Sequence, residues 1–119
     1  GEEGFRKREQ CMIEELTAKP DIVLATGGGA ILDPENRRHL NRGTVIFLHA
    51  SVSQQLRRTS HDTTRPLLQT PNPRKKLSDL MTAREPLYRE IADIIIKTDG
   101  NRVRDILEKI IAQAQRRLD

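Results

Sequence analysis

A short apolar run, Ile22-Val23-Leu24-Ala25-Thr26, ends in three consecutive glycines, Gly27-Gly28-Gly29. Bare backbone at the carboxyl end of a strand is how an α/β protein brings main-chain N–H groups within reach of a small polar ligand. The common turns need one or two glycines, so three in a row point to a close approach rather than to a change of direction. By itself the segment is equally compatible with a glycine-rich connection that binds nothing. Complementary chemistry lies in three arginine-centred segments, since a guanidinium fork binds a carboxylate in two places. They are Gly1-Glu2-Glu3-Gly4-Phe5-Arg6-Lys7-Arg8-Glu9, Arg65-Pro66-Leu67-Leu68 and Ala83-Arg84-Glu85-Pro86-Leu87-Tyr88. Taken alone, Arg6 in a charged first helical turn is more often a solvated face residue than a ligand, and Arg65 an exposed loop charge. His39, His49 and His61 have no metal-ligand spacing and are expected to be structural or exposed. Ser51 and Ser60 show no histidine and acid arrangement of the kind a hydrolase triad needs.

In this order and at these spacings, the four segments resemble those of shikimate kinase, from Gly1 to about Arg102. The resemblance implies a P-loop NTPase-type α/β fold, a parallel sheet with flanking helices. It also implies transfer of the ATP γ-phosphoryl group to the 3-hydroxyl of shikimate on the route to chorismate and the aromatic amino acids. Within that family pattern Arg6 and Arg84 are the clamps on the substrate carboxylate. Gly27, Gly28 and Gly29 are backbone donors to the ring hydroxyls, Gly28 foremost. Arg65 is the lid arginine over the ATP phosphates, the catalytic cation that neutralises charge on the transferred group. Arg58 corresponds to a position beside adenine, and Asn101 to a further adenine contact. The family's phosphate loop, G-x-x-x-x-G-K-[ST], has no counterpart among these 119 residues. Nor has its upstream aspartate, which holds the reacting hydroxyl. The ligands for the Mg²⁺ ion and the ATP phosphates are therefore expected in an amino-terminal segment outside this chain. The chain is expected to be the carboxyl-terminal two-thirds of such a kinase, inactive alone and monomeric when complete.

Two rival functions remain open. A sugar-acid kinase would keep the fold and change the substrate, but the pairing of Arg6 and Arg84 with the glycine triplet argues against it. A non-catalytic module for nucleic acid or another polyanion would show steep salt dependence and no response to shikimate.

These residues need elements to position them. Phe5, Met12, Ile13 and Leu16 recur at helical spacing until Pro20, which predicts a helix over 2–19 with Arg6 near its start. Ile22 to Thr26 is predicted as a buried strand from whose end the glycines hang. Asp33-Pro34-Glu35 carries an N-cap acid and a first-turn proline, opening a short helix that closes near Arg42-Gly43. Thr44 to Leu48 predicts a second strand, and Ser51 caps a helix through about Arg58. The stretch 59–73 lacks apolar periodicity and is expected to be a mobile lid. A helix resumes near Arg74 and is expected to bend at Pro86. Ile94-Ile95-Ile96 forms a third strand, and the stripe from Val103 to Ala114 marks a terminal helix. Residues 1–119 form a single partial kinase domain: the substrate helix and glycine loop in 1–30, the lid in 59–73 and a closing helix-strand-helix in 74–119. Alternating helices and strands call for a parallel sheet. In the resembled family the phosphate-loop strand lies between the strands matching 22–26 and 44–48. Both are therefore expected to lose a ladder partner, leaving a damaged core and a weakly stable chain.

Composition sets the bounds. Apolar residues are 35 % and charged residues 32 %, with no Trp, one Tyr and two Phe, so the core must be aliphatic and modest. No apolar run approaches the ~20 residues of a membrane span and no basic-plus-apolar stretch is seen at the start, so a soluble, unexported protein is expected. One cysteine, Cys11, precludes an intrachain disulfide, and a reducing cytoplasm is the expected setting. A net charge of +4 suits nucleic acid, anionic metabolites or solubility alike. With aromatics at 3 %, the stacking platforms of single-strand readers are missing, so nucleic acid is not an expected partner.

Overall fold

The computed structural model describes residues 1–59 and 71–118, so the expected lid falls largely outside the described residues, Arg65 with it. Helix α1 spans Glu2–Thr17, followed by a 3-10 turn over Gly28–Leu32, α2 over Pro34–Leu40 and β1 over Ile46–His49. Then come α3 (Val52–Thr59), α4 (Pro73–Ile91), β2 (Ile94–Lys97) and α5 (Val103–Leu118). The predicted caps open α2 and α3. Asp33 accepts the Glu35 N–H at 2.8 Å and Ser51 Oγ accepts the Gln54 N–H at 3.1 Å. Asn72 caps α4 through the Lys75 N–H at 3.1 Å, and α4 runs on through Pro86 to Ile91 without ending there.

The sheet has two parallel strands, with Ile46 opposite Ile94 and His49 opposite Lys97. Alternation along the strands divides the side chains between two faces. Ile94 and Ile96 pack with Ile106 of α5 in the buried core, joined by Ile46, Ile110 and Ala114. The opposite face of β1 carries Phe47 and His49 toward α4, where Phe47 stacks on Tyr88. A second packed group joins α1, the 3-10 turn and α2, burying Ile13, Ala30, Ile31, Asn36 and His39. Arg42, just past α2, ties that group together by donating to the Glu14 carbonyl at 3.0 Å.

One predicted element does not form. Residues 22–26 make no strand; Val23 is fully exposed and Ile22 is 42 % exposed. A strand exists through its ladder, and among the described residues no strand lies beside this segment to pair with it. The expected three-stranded sheet is therefore two-stranded here. Its apolar residues have the composition of a buried strand but no neighbour to bury them.

Candidate functional site

The glycine segment is where distant parts of the chain meet. Gly27 is extended, and Gly28 and Gly29 begin the 3-10 turn. A β-carbon on Gly29 would stand 2.5 Å from one terminal nitrogen of the Arg6 guanidinium and 2.7 Å from the other. A β-carbon on Gly28 would stand 2.9 Å from an Arg84 guanidinium nitrogen and 3.2 Å from the Tyr88 hydroxyl. Glycine is needed at both positions because cations lie against the backbone, whereas Gly27 faces open space. Two guanidinium groups from α1 and α4, which are far apart in sequence, thus rest on adjacent residues.

Each cation is held by its own helix or its neighbours. Arg6 donates to Glu9 Oε1 at 2.8 Å, one turn along α1, and approaches Glu2 at 3.9 Å. Arg84 carries a buried Nε with no hydrogen-bond partner among the described residues. A buried donor without an acceptor is costly, so this cation is poised for an incoming anion. One turn along α4, Tyr88 donates its hydroxyl to the Gly28 carbonyl at 2.7 Å and stacks on Phe47 with ring centres 4.8 Å apart. Burial pushes the Tyr88 phenol above its usual value, against the opposing pull of Arg84's charge and hydrogen bond.

Behind the glycines, α2 braces the 3-10 turn. Asn36, 1 % exposed, donates to the Ala30 carbonyl at 3.1 Å, and Arg37 donates to the Ile31 carbonyl at 2.8 Å. Beside them a groove of about 160 Å³ runs between α1 and the extended segment, lined by Glu9, Met12, Ile13 and Leu24 to Gly27. Two planar cations and a phenol hydroxyl therefore lie against one stretch of bare backbone.

A separate, open cleft of about 290 Å³ lies at the other end of α3, lined by Gln54, Arg57, Arg58 and Gly100. Gly100 has φ +72°, in the left-handed region that favours glycine. Asn101 follows it, and its amide donates to the Lys97 carbonyl at 3.0 Å, so this side chain shapes the turn from β2 into α5. Hydrogen bonds from the Ser51 side chain and then from the Ser51 N–H, at 2.9 Å, hold the Asp99 carboxyl below the usual range and join that turn to the start of α3. The structure therefore brings Arg58 beside the turn that carries Asn101.

Residues 1–115 match the shikimate kinase family model. The chain belongs to the shikimate kinase family. The shikimate kinase of Francisella tularensis subsp. holarctica is 58 % identical over 112 residues, covering 92 % of this chain and 64 % of the relative. That of Halorhodospira halophila is 49 % identical over 116 residues, covering 97 % and 66 %. The chain thus spans about two-thirds, or slightly less, of these relatives' length. Among solved structures, shikimate kinase from Acinetobacter baumannii in complex with shikimate superposes with a TM-score of 0.89 at 47 % identity, covering 98 % of this chain and 66 % of that one. The Bacteroides thetaiotaomicron enzyme superposes at 0.79 with 29 % identity. The fold is that of the P-loop shikimate kinases, represented here by part of its α/β sheet.

Of the residues expected at the substrate end, Arg6, Gly28, Gly29 and Arg84 come together; Gly27 borders the groove but touches neither cation. Tyr88, Glu9 and Asn36 were missed as parts of the site. Tyr88 and Glu9 had a signal in their spacing, four residues after Arg84 and three after Arg6, which puts each on its arginine's helical face. Asn36 had none.

Proposed function

We propose that this chain forms the acceptor side of a kinase that moves the γ-phosphoryl group of ATP to the 3-hydroxyl of shikimate. The observation that carries this reading is the meeting of Arg6 and Arg84 on Gly29 and Gly28. A bidentate cation pair fits a ring carboxylate, and backbone free of β-carbons fits a hydroxylated ring lying against it. In the reaction, the 3-hydroxyl oxygen bonds to the γ-phosphorus while the bond to the β,γ-bridging oxygen breaks and ADP leaves. The hydroxyl proton passes to a base that has no counterpart among these 119 residues. Arg65, outside the described residues, is the cation for the transferred group, and Arg58 and Asn101 lie toward the adenine end. Among the described residues no group of three or more His, Cys, Asp or Glu side chains is placed to hold a metal ion. No helix among the described residues is long and apolar enough to cross a membrane, and a cytoplasmic setting belongs to this reading.

The test joins residues 1–119 to the amino-terminal segment of the Francisella relative and follows ADP release in a coupled assay. Shikimate-dependent turnover is expected from the joined protein and none from the 119-residue polypeptide alone. Shikimate-dependent turnover by the 119 residues alone would overturn the division of labour. Turnover by the joined protein with other hydroxy acids in preference to shikimate would overturn the substrate.

A further inference from the structure

His49 ends β1 with its imidazole Nε2 3.1 Å from Glu85 Oε1 on α4. The two side chains are 22 % and 29 % exposed. The same carboxylate oxygen receives Arg89 from one turn farther along α4, at 2.9 Å and 3.1 Å, so its direction is fixed from its own helix as well. At the strand end, the His49 carbonyl accepts both the N–H and the hydroxyl of Thr98, at 2.9 Å and 3.1 Å. The imidazole therefore stands on backbone pinned to β2. Phe47, on the same face of β1, touches the His49 ring edge-on with centres 5.7 Å apart and stacks on Tyr88. Glu85 is the neighbour of Arg84 and lies one turn before Tyr88, the two residues that α4 presents to Gly28.

An aromatic stack resists separation of helix and sheet but tolerates sliding and rotation, because dispersion has little direction. A hydrogen bond between ionisable groups has a preferred length and line, so it removes that freedom. Partly exposed pairs of this kind add little to stability, which leaves orientation as what this one supplies.

We propose that the His49–Glu85 pair is a positioning device for the acceptor site, fixing α4 against β1 so that Arg84 and Tyr88 meet Gly28. Its consequence for affinity rests on the function proposed above; its consequence for the placement of Tyr88 does not.

The test uses the chain's single tyrosine, undisturbed by tryptophan, as its own reporter. His49→Phe keeps a ring against Phe47 and removes the donor, while His49→Gln returns an N–H at similar reach. Near-ultraviolet circular dichroism of the tyrosine band is read beside shikimate titration by calorimetry. His49→Phe is expected to weaken the band and raise the shikimate dissociation constant about tenfold, the scale of a small misplacement of a binding group. His49→Gln should recover most of both. Glu85→Ala should match His49→Phe, and the double variant should be no worse than either, since each acts through the other. A folded His49→Phe with the parental tyrosine band, or additive losses in the double variant, would overturn the proposal. If His49→Phe does not fold, Glu85→Leu, of similar reach and without an acceptor, reads the same two quantities: a weakened band with weaker binding supports the pair, and a parental band overturns it. A tyrosine band that responds as expected in a chain that binds no shikimate sinks the acceptor reading and leaves the positioning role standing.

Discussion

The sheet half of the molecule and the glycine half each bury a small aliphatic group, but the contacts at the glycines themselves are of another kind. Around β1, β2 and α5 the contacts are aliphatic: Ile94, Ile96 and Ile106 form a closed core. Around Gly28 and Gly29 the contacts are polar and directional: Tyr88 to Gly28, Asn36 to Ala30, Arg37 to Ile31, Arg6 to Glu9. The first arrangement resists deformation because interiors are packed like crystals. The second places charge at defined points and, among the described residues, leaves Arg84 Nε, His39 Nδ1 and Asn36 Oδ1 buried without a hydrogen-bond partner. Stability and recognition are therefore separable in this chain, and substitutions in the two halves should fail in different ways.

The largest effect belongs to the sheet half. Ile96 is 2 % exposed, and Ile96→Ala removes its packing and leaves a cavity, a loss of about 2 to 5 kcal/mol. Against a total stability of roughly 5 to 15 kcal/mol for ordinary domains, and less for one with a two-stranded sheet, the variant should be largely unfolded. Urea titration by far-ultraviolet circular dichroism checks this. A midpoint close to the parent's would mean that the aliphatic core does not carry the fold.

Arg84→Ala is the counterpart in the glycine half. It removes a cation whose Nε has no partner among the described residues, so the fold should lose little. Shikimate binding should lose about 2 to 4 kcal/mol with the charge-assisted clamp gone. Arg6→Ala should behave alike, while Arg65→Ala in the joined protein should lower kcat and leave shikimate affinity within a few fold. Equal losses from Arg84→Ala and Arg65→Ala in titrations with each substrate would erase the distinction between clamp and lid.

The glycines sharpen the comparison on a finer scale. Gly29→Ala sets a β-carbon 2.5 Å from the far end of the Arg6 side chain, which can swing away at low cost to the fold but then leaves its place. Shikimate affinity should fall while the urea midpoint hardly moves. Gly27→Ala meets no atom within 4 Å and should be neutral to the fold, making it the control for any general effect of substituting this loop.

The same contrast explains what the sequence could and could not reveal. Helix starts were legible at Asp33 and Ser51 because capping is local chemistry, decided within three residues. β2 was legible as a strand because a short β-branched run closed by a turn is recognised from its own residues, and which face it buries came only with the structure. Ile22 to Thr26 failed because strand formation depends on a neighbour, and an apolar run does not say whether one is there. The two arginines that lie against the glycines were singled out through spacing that resembles a family, but their supports were not. Nothing in the order of residues says that Asn36 reaches back to Ala30, or that His49 meets Glu85 across the sheet-helix contact. Such contacts exist only once tertiary packing has brought the elements together.

The smallest effect tests whether Tyr88 belongs to the glycine half. Burial raises its phenol pKa, so the folded state holds that proton more tightly than the unfolded chain, whose phenol titrates near 10. The sign follows by linkage: this contribution to stability is fully present below the unfolded value and is lost as pH rises through the folded one. With one tyrosine and no tryptophan, phenolate absorbance reports this group alone. Its midpoint should lie above the value measured in urea. Arg84 opposes the shift through its charge and hydrogen bond, so Arg84→Ala should move the native midpoint higher still. A native midpoint equal to the one in urea would place the hydroxyl in water rather than on the Gly28 carbonyl. A midpoint lowered by Arg84→Ala would mean that the substitution opens the loop, and that the cation braces the glycine half as well as standing ready for a ligand.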